Sequence, residues 1–387
     1  MSKEKRRVPK LRFPGFTEDW EQRKLGDVTN IKTGSRNQQD SVTNGQYPFF
    51  IRSEKIEKLD RYDFDTEAIL VPGDGRIGEI FHYYNGKFAL HQRVYKVDNF
   101  KGVDAFFLLY LFQCSFKEHA LRLNAQGTVP SLRLPMFTEW NICIPSLQEQ
   151  IGIGRLLNKI ELMITLHQRK LDNLKLKKKA LLQKLFPKNG ERYPELRFSG
   201  FTDAWEQRKL GSIGSTYTGL SGKTKEDFGH GEAKYITYLN VFQNTISNIT
   251  MTDKVEIDPT QNEVKYGDVL FTTSSETPEE VGMSSVWLGD TPNIYLNSFC
   301  FGFRPNQKID SYFLGYSLRA PYMRDRIKIL AQGISRYNIS KNKVMELEIS
   351  LPNNEEQKLL GTFLQRIDLI ITLHQQEPFL CGNSING

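Results

Sequence analysis

Cysteine is scarce in this chain of 387 residues, and long apolar runs are missing. The four cysteines lie far apart and form no CxxC pair, at Cys114, Cys143, Cys300 and Cys381. Such spacing predicts reduced thiols in a cytoplasmic protein rather than a disulfide framework. No run approaches the roughly eighteen apolar residues of a membrane-spanning helix. The basic N-terminus is not followed by the apolar stretch of a secretory signal.

Catalytic motifs are missing as well. The nearest phosphate-loop pattern, YTGLSGKT at 217–224, has Tyr217 where the motif needs its first glycine. Asp253 with Glu263 and Lys265 is spaced as in some metal-dependent nucleases, but a solvated turn explains so short a pattern better. The histidines form no pair at metal-ligand spacing. Dinucleotide, GxSxG and DNA-methyltransferase motifs are absent. We therefore expect no catalytic residue, no metal ligand and no cofactor on this chain.

Positive charge is in excess, with a formal net charge of +7 and a sequence pI near 9.0. A balance of this kind favours a polyanion such as double-stranded DNA as the partner. A merely soluble basic protein is the plain alternative. Part of the excess lies in segment 169–188, where eight lysines and arginines accompany a single acidic residue, Asp172.

The chain contains an internal repeat in two parts. PKLRFPGFTEDWEQRKLGDV at 9–28 returns as PELRFSGFTDAWEQRKLGSI at 194–213, an offset of 185 residues. GRLLNKIELMITLHQRK at 154–170 returns as GTFLQRIDLIITLHQQE at 361–377, an offset of 207. The sequences between these matched ends hardly resemble each other. This pattern predicts one unit duplicated in tandem, with a constant frame around two different binding blocks.

A long helix is predicted over 146–188, bracketed by Pro145 and Pro187. Seam positions follow at steps of three and four, as in a coiled coil: Leu157, Ile160, Ile164, His167, Leu171, Leu174, Lys178, Leu181 and Leu185. The repeated helix from 353 can supply an antiparallel partner within the same chain. Pro378 should end that second helix about twenty residues early, because proline removes a helical hydrogen bond.

The predicted fold class is α+β, with two globular α/β domains in a pseudo-twofold tandem repeat separated by a long antiparallel two-helix coiled-coil spacer. We expect a lead-in segment at 1–20, a first domain at 21–145, a spacer helix at 146–190, a lead-in repeat plus second domain at 191–352, and a second spacer helix at 353–387. Predicted strands lie at 68–71, 79–83, 88–90, 93–97 and 140–144, then at 234–239, 268–271, 285–288, 294–303 and 346–351. Helices are predicted at 103–123 and 311–330. Asn85-Gly86 predicts a hairpin turn.

Polar, glycine-containing loops fall at comparable places in both blocks. Their Arg, Lys, Asn, Gln, Ser and Thr side chains are the types that reach base edges and phosphates. The candidates in the first block are Thr33, Ser35, Arg36, Asn37, Arg76, Gln92, Arg93, Gln126, Thr128, Ser131 and Arg133. Those in the second block are Ser221, Lys223, Thr224, Ser274, Ser275, Asn297, Gln332, Ser335, Arg336 and Asn338.

The duplicated LRFPGFTEDWEQRKLGDV motif and the strand–Pro–EQ–helix junctions at 141–160 and 348–367 resemble the DNA-specificity (S) subunits of type I restriction–modification systems. The resemblance covers almost the whole chain. It implies that each block is a target-recognition domain for one half of a split DNA sequence, in a chain that is not itself an enzyme. It also implies a bacterial cytoplasmic location on DNA.

The same resemblance implies partners. Two modification subunits, carrying an adenine-N6 methyltransferase, and ATP-driven restriction subunits would dock on the chain, and S-adenosylmethionine, ATP and Mg would belong to them. The docking candidates are Trp20, Trp205, Leu157, Ile160, Ile164, Leu171, Leu174, Leu364, Ile367 and Ile371. Two alternatives stay open from the residues alone: a self-contained restriction or modification enzyme, and a coiled-coil scaffold that binds only proteins.

Overall fold

The structure is a computed structural model that describes residues 9–124, 130–188 and 190–383, with side chains to Gln375. It divides into two compact units between Leu166 and His167, inside one long helix. None of the described helices is both long and apolar enough to cross a membrane. Each unit is an α+β domain, as predicted, and each is described by itself below.

Among the residues that the structure describes, the first unit has eight strands, four short helices and the first half of the long helix. Its strands are β1 (Glu21–Lys24), β2 (Asn30–Thr33), β3 (Tyr47–Phe50), β4 (Ile56–Leu59), β5 (Phe64–Pro72), β6 (His82–Leu90), β7 (Val94–Asp98) and β8 (Asn141–Ile144). Its helices are α1 (Leu25–Val28), α2 (Ala105–Leu111), α3 (Lys117–Leu123), α4 (Leu134–Thr138) and α5 (Leu147–Lys184), with a π-helical turn at Phe112–Phe116 joining α2 to α3.

Six strands of this unit form one sheet in the order β2-β7-β5-β6-β3-β4. All neighbours are antiparallel except β3 and β6, which run parallel. The apolar side chains of β5 and β7 pack on α2, the π turn and α4, in a core that includes Ile69, Val71, Phe112 and Phe137. Because β3 and β6 run parallel, their carboxyl ends lie side by side, and the turns that follow the two strands lie next to each other.

The second unit contains eleven strands. They are β9 (Glu206–Lys209), β10 (Gly214–Thr218), β11 (Phe228–Ile236), β12 (Thr252–Val255), β13 (Val269–Thr272), β14 (Ser274–Ser275), β15 (Ser284–Val286), β16 (Ile294–Leu296), β17 (Cys300–Pro305), β18 (Tyr337–Asn338) and β19 (Glu348–Leu351). Its helices after α5 are α6 (Tyr238–Gln243), α7 (Ser311–Arg319), α8 (Pro321–Ile329), α9 (Lys341–Met345) and α10 (Asn354–Asn383).

The strand topology of the second unit repeats that of the first. Strands β10-β17-β13-β15 form an antiparallel sheet like β2-β7-β5-β6, and β12-β11-β16 pair like β4-β3-β6. The one parallel pair recurs as β11 and β16. Where the first unit has the continuous strand β6, the second has two short strands, β15 and β16. The two blocks thus share a fold although their sequences have diverged.

Each lead-in motif forms a strand that pairs with the strand closing its own unit. β1 pairs with β8 from Glu21↔Ile144 to Lys24↔Asn141. β9 pairs with β19 in the same register, from Glu206↔Leu351 to Lys209↔Glu348. In each unit, the WEQRKLG repeat therefore forms the strand that pairs with the last strand before the long helix.

Several local predictions are wrong. The strand predicted at 79–83 begins only at His82, and the helix predicted at 311–330 is divided at Ala320. Asn85-Gly86 is not a hairpin turn but lies inside β6, where Thr66 of β5 faces Gly86 at a φ of 134°. Pro378 does not end α10, which runs on to Asn383 and is 30 residues long against 38 for α5. A proline inside a helix loses its own N–H bond and its ring crowds the carbonyl four residues earlier, but its fixed φ is helical, so a helix can continue past it at an energetic cost.

In the second unit, one ion pair and a shared hydrophobic cluster connect α5 and α10. Lys178 of α5 pairs with Asp368 of α10 at 2.5 Å. Farther along α5, Leu185 joins the same buried cluster as Leu360 and Leu364 from earlier in α10. All described side chains of α5 from 160 to 170 are exposed. A long coiled coil over the whole spacer therefore stays a prediction.

Candidate nucleic-acid interface

The centre of the site in the first unit is the turn His91–Arg93 between β6 and β7. The His91 N–H donates to the Phe50 carbonyl at 3.1 Å, and Val94 N–H closes the turn on the His91 carbonyl at 2.9 Å. Arg93 N–H donates to His91 Nδ1 at 3.0 Å. These three hydrogen bonds hold the turn in place, so its exposed side chains project from a rigid backbone.

Three neighbouring segments are bound to this turn by backbone hydrogen bonds. Gln92 N–H donates to the Arg36 carbonyl at 2.9 Å, and Gly73 N–H donates to the Arg93 carbonyl at 2.7 Å. Leu132 N–H donates in turn to the Gly73 carbonyl at 2.6 Å. Loops that lie up to a hundred residues apart in sequence therefore form one continuous polar surface.

A concave surface of about 760 Å³ lies on this side of the unit. Gln92 Nε2 donates to Asn37 Oδ1 at 2.7 Å across it. The lining residues are Asn37, Gln38, Gln39, Ser41, Arg52, His91, Gln92 and Arg93. Amides and guanidinium groups of this kind form the bidentate contacts that read adenine and guanine edges.

The arginines of the first unit divide into paired and unpaired groups. Arg36 is held by Asp63 at 2.6 Å, and that hydrogen bond raises its pKa. Arg76 lies between Glu54 and Glu79, both at 2.8 Å. Among the described residues, Arg93 and Arg133 form no salt bridge. These two can meet a phosphate or a guanine without first breaking an ion pair.

The remaining candidates of the first unit lie in three segments. Thr33 is the last residue of β2 and Ser35 follows it in the loop, and both are exposed. Ser131 pairs with Asp74 in an isolated β-bridge, and its N–H donates to Asn124 Oδ1 at 3.1 Å. Gln126 and Thr128 lie outside the described residues.

The second unit builds the same turn at Asn297–Phe299 with different side chains. Asn297 N–H donates to the Ile236 carbonyl at 3.2 Å, and Cys300 N–H closes the turn on the Asn297 carbonyl at 3.0 Å. Phe299 N–H donates to Asn297 Oδ1 at 2.8 Å, where the first unit uses His91 Nδ1. The bonds made by the N–H groups of His91, Arg93 and Val94 thus have counterparts at turn 297–299.

The segments around turn 297–299 correspond as well. Thr273 N–H donates to the Phe299 carbonyl at 2.9 Å, as Gly73 does to Arg93. Ile339 N–H donates to the Thr273 carbonyl at 2.9 Å, as Leu132 does to Gly73. Asn338 pairs with Ser274 in the position of the Ser131–Asp74 bridge.

The other candidates of the second unit fall into three groups. Ser221, Gln332, Ser335, Arg336 and Asn338 are exposed. Lys223 is paired with Asp258 at 2.7 Å, and Thr224 Oγ1 donates to Asp227 at 2.9 Å. Ser274 and Ser275 are buried in β14. The expectation that these two serines present their side chains to DNA is corrected, because the short strand turns them inward.

Three residues near the turns were missed by sequence reasoning. Arg52 lines the concave surface of the first unit, His91 fixes the turn, and Phe299 is 55% exposed at the position of Arg93. No local sequence pattern identifies these residues. Arg52, for example, lies beside the turn only because β3 pairs in parallel with β6. Only the backbone bonds make Phe299 and Arg93 equivalent.

The predicted docking residues differ in their exposure. Ile160 and Ile164 are exposed on α5, at 39% and 59%. Trp205 is 1% exposed and packs edge-on against Phe186 and Phe313, so it belongs to the core and does not form a docking surface. The other candidates are half-buried (Trp20, Leu157, Leu174, Ile367) or buried (Leu171, Leu364, Ile371).

Comparison with known proteins gives a consistent result. The family model described as "Type I restriction modification DNA specificity domain" matches residues 17–176 and 202–379. The MjaVIII type I restriction enzyme specificity subunit of Methanocaldococcus jannaschii is 25% identical over 95% of this chain and 89% of its own length. The EcoDI specificity subunit of Escherichia coli is 29% identical over 46% of this chain and 40% of its own length.

A solved structure has the same fold. The S subunit of a type I restriction–modification system from M. genitalium superposes with a TM-score of 0.55 at 16% identity, over 96% of this chain and 94% of its own.

Proposed function

The chain belongs to the family of type I restriction–modification DNA specificity proteins and carries two DNA specificity domains, and from that premise we propose that each unit reads one half of a divided DNA target. One observation carries the proposal. The same hydrogen-bonded turn, with the same neighbouring segments, occurs in both units and presents different side chains. A fixed backbone with variable side chains allows the two units to read two different short sequences.

Affinity and specificity have separate sources in this proposal. The excess of positive charge supplies a salt-dependent attraction to phosphates. Arg93, Gln92 and Asn37 in the first unit, and the exposed residues of turn 297–299 and loop 332–338 in the second, supply the base contacts. Because most phosphate contacts carry no sequence information, a loss of base contacts should change the sequence bound more than the total affinity.

The proposal extends to partners. Two modification subunits dock on the chain and carry the adenine-N6 methyltransferase, and restriction subunits join through them. S-adenosylmethionine, ATP and Mg then belong to those subunits, and this chain is not an enzyme. The relatives named as specificity subunits support this division of labour. The exposed apolar residues of α5, Leu156, Ile160, Met163 and Ile164 among them, are the proposed docking surface.

Binding to randomised DNA tests the proposal. The full chain, assembled with its modification subunits, should enrich a sequence in two parts. Arg93→Ala should relax about one base position in the first part, by roughly tenfold. Lys101→Ala is the control, because Lys101 is an exposed cation past the far end of β7. Methyl transfer or DNA cleavage by the purified chain alone would contradict the proposal.

A further inference from the structure

Phe299 carries an exposed aromatic ring on a backbone that is held in place. Its side chain is 55% exposed and lies outside the hydrophobic clusters of the unit, whereas its backbone takes part in three hydrogen bonds. The carbonyl accepts from both N–H and Oγ1 of Thr273, at 2.9 and 2.7 Å, and the N–H donates to Asn297 at 2.8 Å. An exposed apolar side chain on a rigid backbone is well suited to contact a ligand.

The equivalent position in the first unit indicates which ligand. Gly73 N–H donates to Arg93 as Thr273 N–H donates to Phe299, and both residues stand last in their turns. Arg93 lines the concave polar surface that carries the proposed base contacts. If the two turns bind DNA in the same way, Phe299 contacts the base pairs of the second half-site at the position where Arg93 contacts those of the first.

A second exposed apolar residue lies in a loop that is bonded to the same segment. Gln332 and Asn338 exchange backbone hydrogen bonds at 2.9 and 2.8 Å and close a loop whose Ile334 is 96% exposed. Asn338 pairs with Ser274, which follows the Thr273 that holds Phe299. Both exposed apolar residues therefore belong to loops that are hydrogen-bonded to the Thr273–Ser274 segment.

In the major groove, the only apolar group that distinguishes one base pair from another is the 5-methyl group of thymine. We propose that Phe299 is a specificity-determining residue of the second unit and that it contacts the methyl group of a thymine in the second half-site. The inference rests on the proposed function, because it requires this unit to bind DNA. It also predicts that the two units select different bases, because an arginine suited to guanine in one turn is replaced by a phenylalanine suited to thymine in the other.

The test uses the full chain assembled with its modification subunits. A randomised library first gives the second half-site of the unaltered protein, and Phe299→Ala shows which position loses its preference. At that position thymine is then replaced by deoxyuridine, which lacks only the methyl group. The unaltered protein should bind the thymine duplex about tenfold more tightly. Phe299→Ala should bind the two duplexes equally, and Phe299→Leu should keep part of the difference.

Two controls separate this inference from the proposed function. Lys308→Ala removes an exposed cation past the far end of β17 and should leave the preference for thymine unchanged. Phe299→Ala should also leave the salt dependence of binding unchanged, because no phosphate contact is lost.

Three outcomes would overturn the inference. If Phe299→Ala changes no position in the second half-site, or still distinguishes thymine from deoxyuridine as the unaltered protein does, the inference fails alone. An equal loss of affinity for both duplexes means that Phe299 acts as a wedge between bases and also overturns it. If the unaltered protein enriches no two-part sequence, the proposed function fails and the inference fails with it.

Discussion

Arg12 holds Glu149 through two parallel hydrogen bonds, from Nε to Oε1 at 2.7 Å and from Nη2 to Oε2 at 2.8 Å. Arg197 holds Glu356 in the same way, at 2.8 Å for both bonds. Each glutamate is the third residue of a long helix and is at most 1% exposed. A carboxylate at this end of a helix also meets the positive end of the helix dipole. The two pairs tie each lead-in motif to the helix that follows its domain.

Removal of Arg12 should destabilise the first unit, because Glu149 would remain buried without a cation. Arg12→Ala is expected to lower the melting temperature of that unit by several degrees. Arg12→Lys should recover little, since lysine cannot form the two parallel bonds. Thermal unfolding followed by circular dichroism measures the effect. Arg23→Ala is the control, because its bond to Glu21 is exposed. Equal shifts for the two alanine variants would contradict the role assigned to the pair.

Gly34 and Gly219 should tolerate no side chain. A Cβ on Gly34 would overlap the Leu90 carbonyl, and one on Gly219 would overlap the Asn297 carbonyl. Either alanine substitution should therefore push the loop away from its turn and cost about 2 kcal/mol or more. Gly152→Ala is the control, since its Cβ would meet only the Phe13 ring at 3.5 Å. Denaturant unfolding and DNA binding would both be measured, and unaffected binding by Gly34→Ala would contradict the account of the first turn.

The sequence discrimination of the first unit should depend on pH and that of the second should not. Burial, followed by the charge of Arg52, lowers the pKa of His91 below its ordinary 6.5, with Arg93 acting in the same direction and Asp74 and Asp40 opposing it. The ring is therefore neutral at pH 7, and its Nδ1 accepts the Arg93 N–H. A proton on Nδ1 would remove that bond. Folding lowers the pKa of His91. The neutral ring therefore contributes fully to the stability of the first unit above about pH 6.5, and this contribution is lost as the pH falls below that value.

Binding assays at pH 7.5 and 5.5 check this expectation. Discrimination at the first half-site should fall on acidification, whereas the second half-site, which has Asn297 at the same place, should change little. His91→Asn gives the first unit the side chain of the second and should remove the difference. Equal pH dependence at both half-sites would contradict the role of His91.

Lys178 and Asp368 should stabilise the packing of α5 on α10 as a pair. Asp368 also accepts from Tyr316 Oη at 2.7 Å, and burial, with Asp368 adding to it, raises the pKa of that tyrosine. Lys178→Met and Asp368→Leu should each destabilise the second unit, and the double variant should show a coupling free energy of about 1 kcal/mol. A double-mutant cycle in denaturant measures it. Additive single effects would show that the two side chains act independently.

The sequence predicted the repeated domain architecture far better than the binding surfaces. The repeated WEQRKLG predicted two copies of one unit, and β1 and β9 occupy the same register in each. The strands that close both units lie close to where the apolar pattern and the prolines placed them, whereas the single helix predicted at 311–330 is divided at Ala320 into α7 and α8.

The binding surfaces depend on contacts that no local pattern reports. HQR at 91–93 and NSF at 297–299 share no residue, and only their backbone bonds show that the two turns are equivalent. Arg52 reaches His91 because β3 pairs with a strand more than thirty residues later. Ser274 and Ser275 have the composition of a polar loop, but pairing with β18 buries them.

The central claim is that two units read two separated DNA sequences, and the pattern of methylated adenines in a cell carrying this chain with its partner subunits tests it most directly. Sequencing that detects N6-methyladenine would be compared between this cell and a matched cell in which the chain is deleted. The account predicts a motif in two specific parts separated by a fixed number of unread base pairs, with one adenine methylated in each part. A continuous, undivided motif would contradict it.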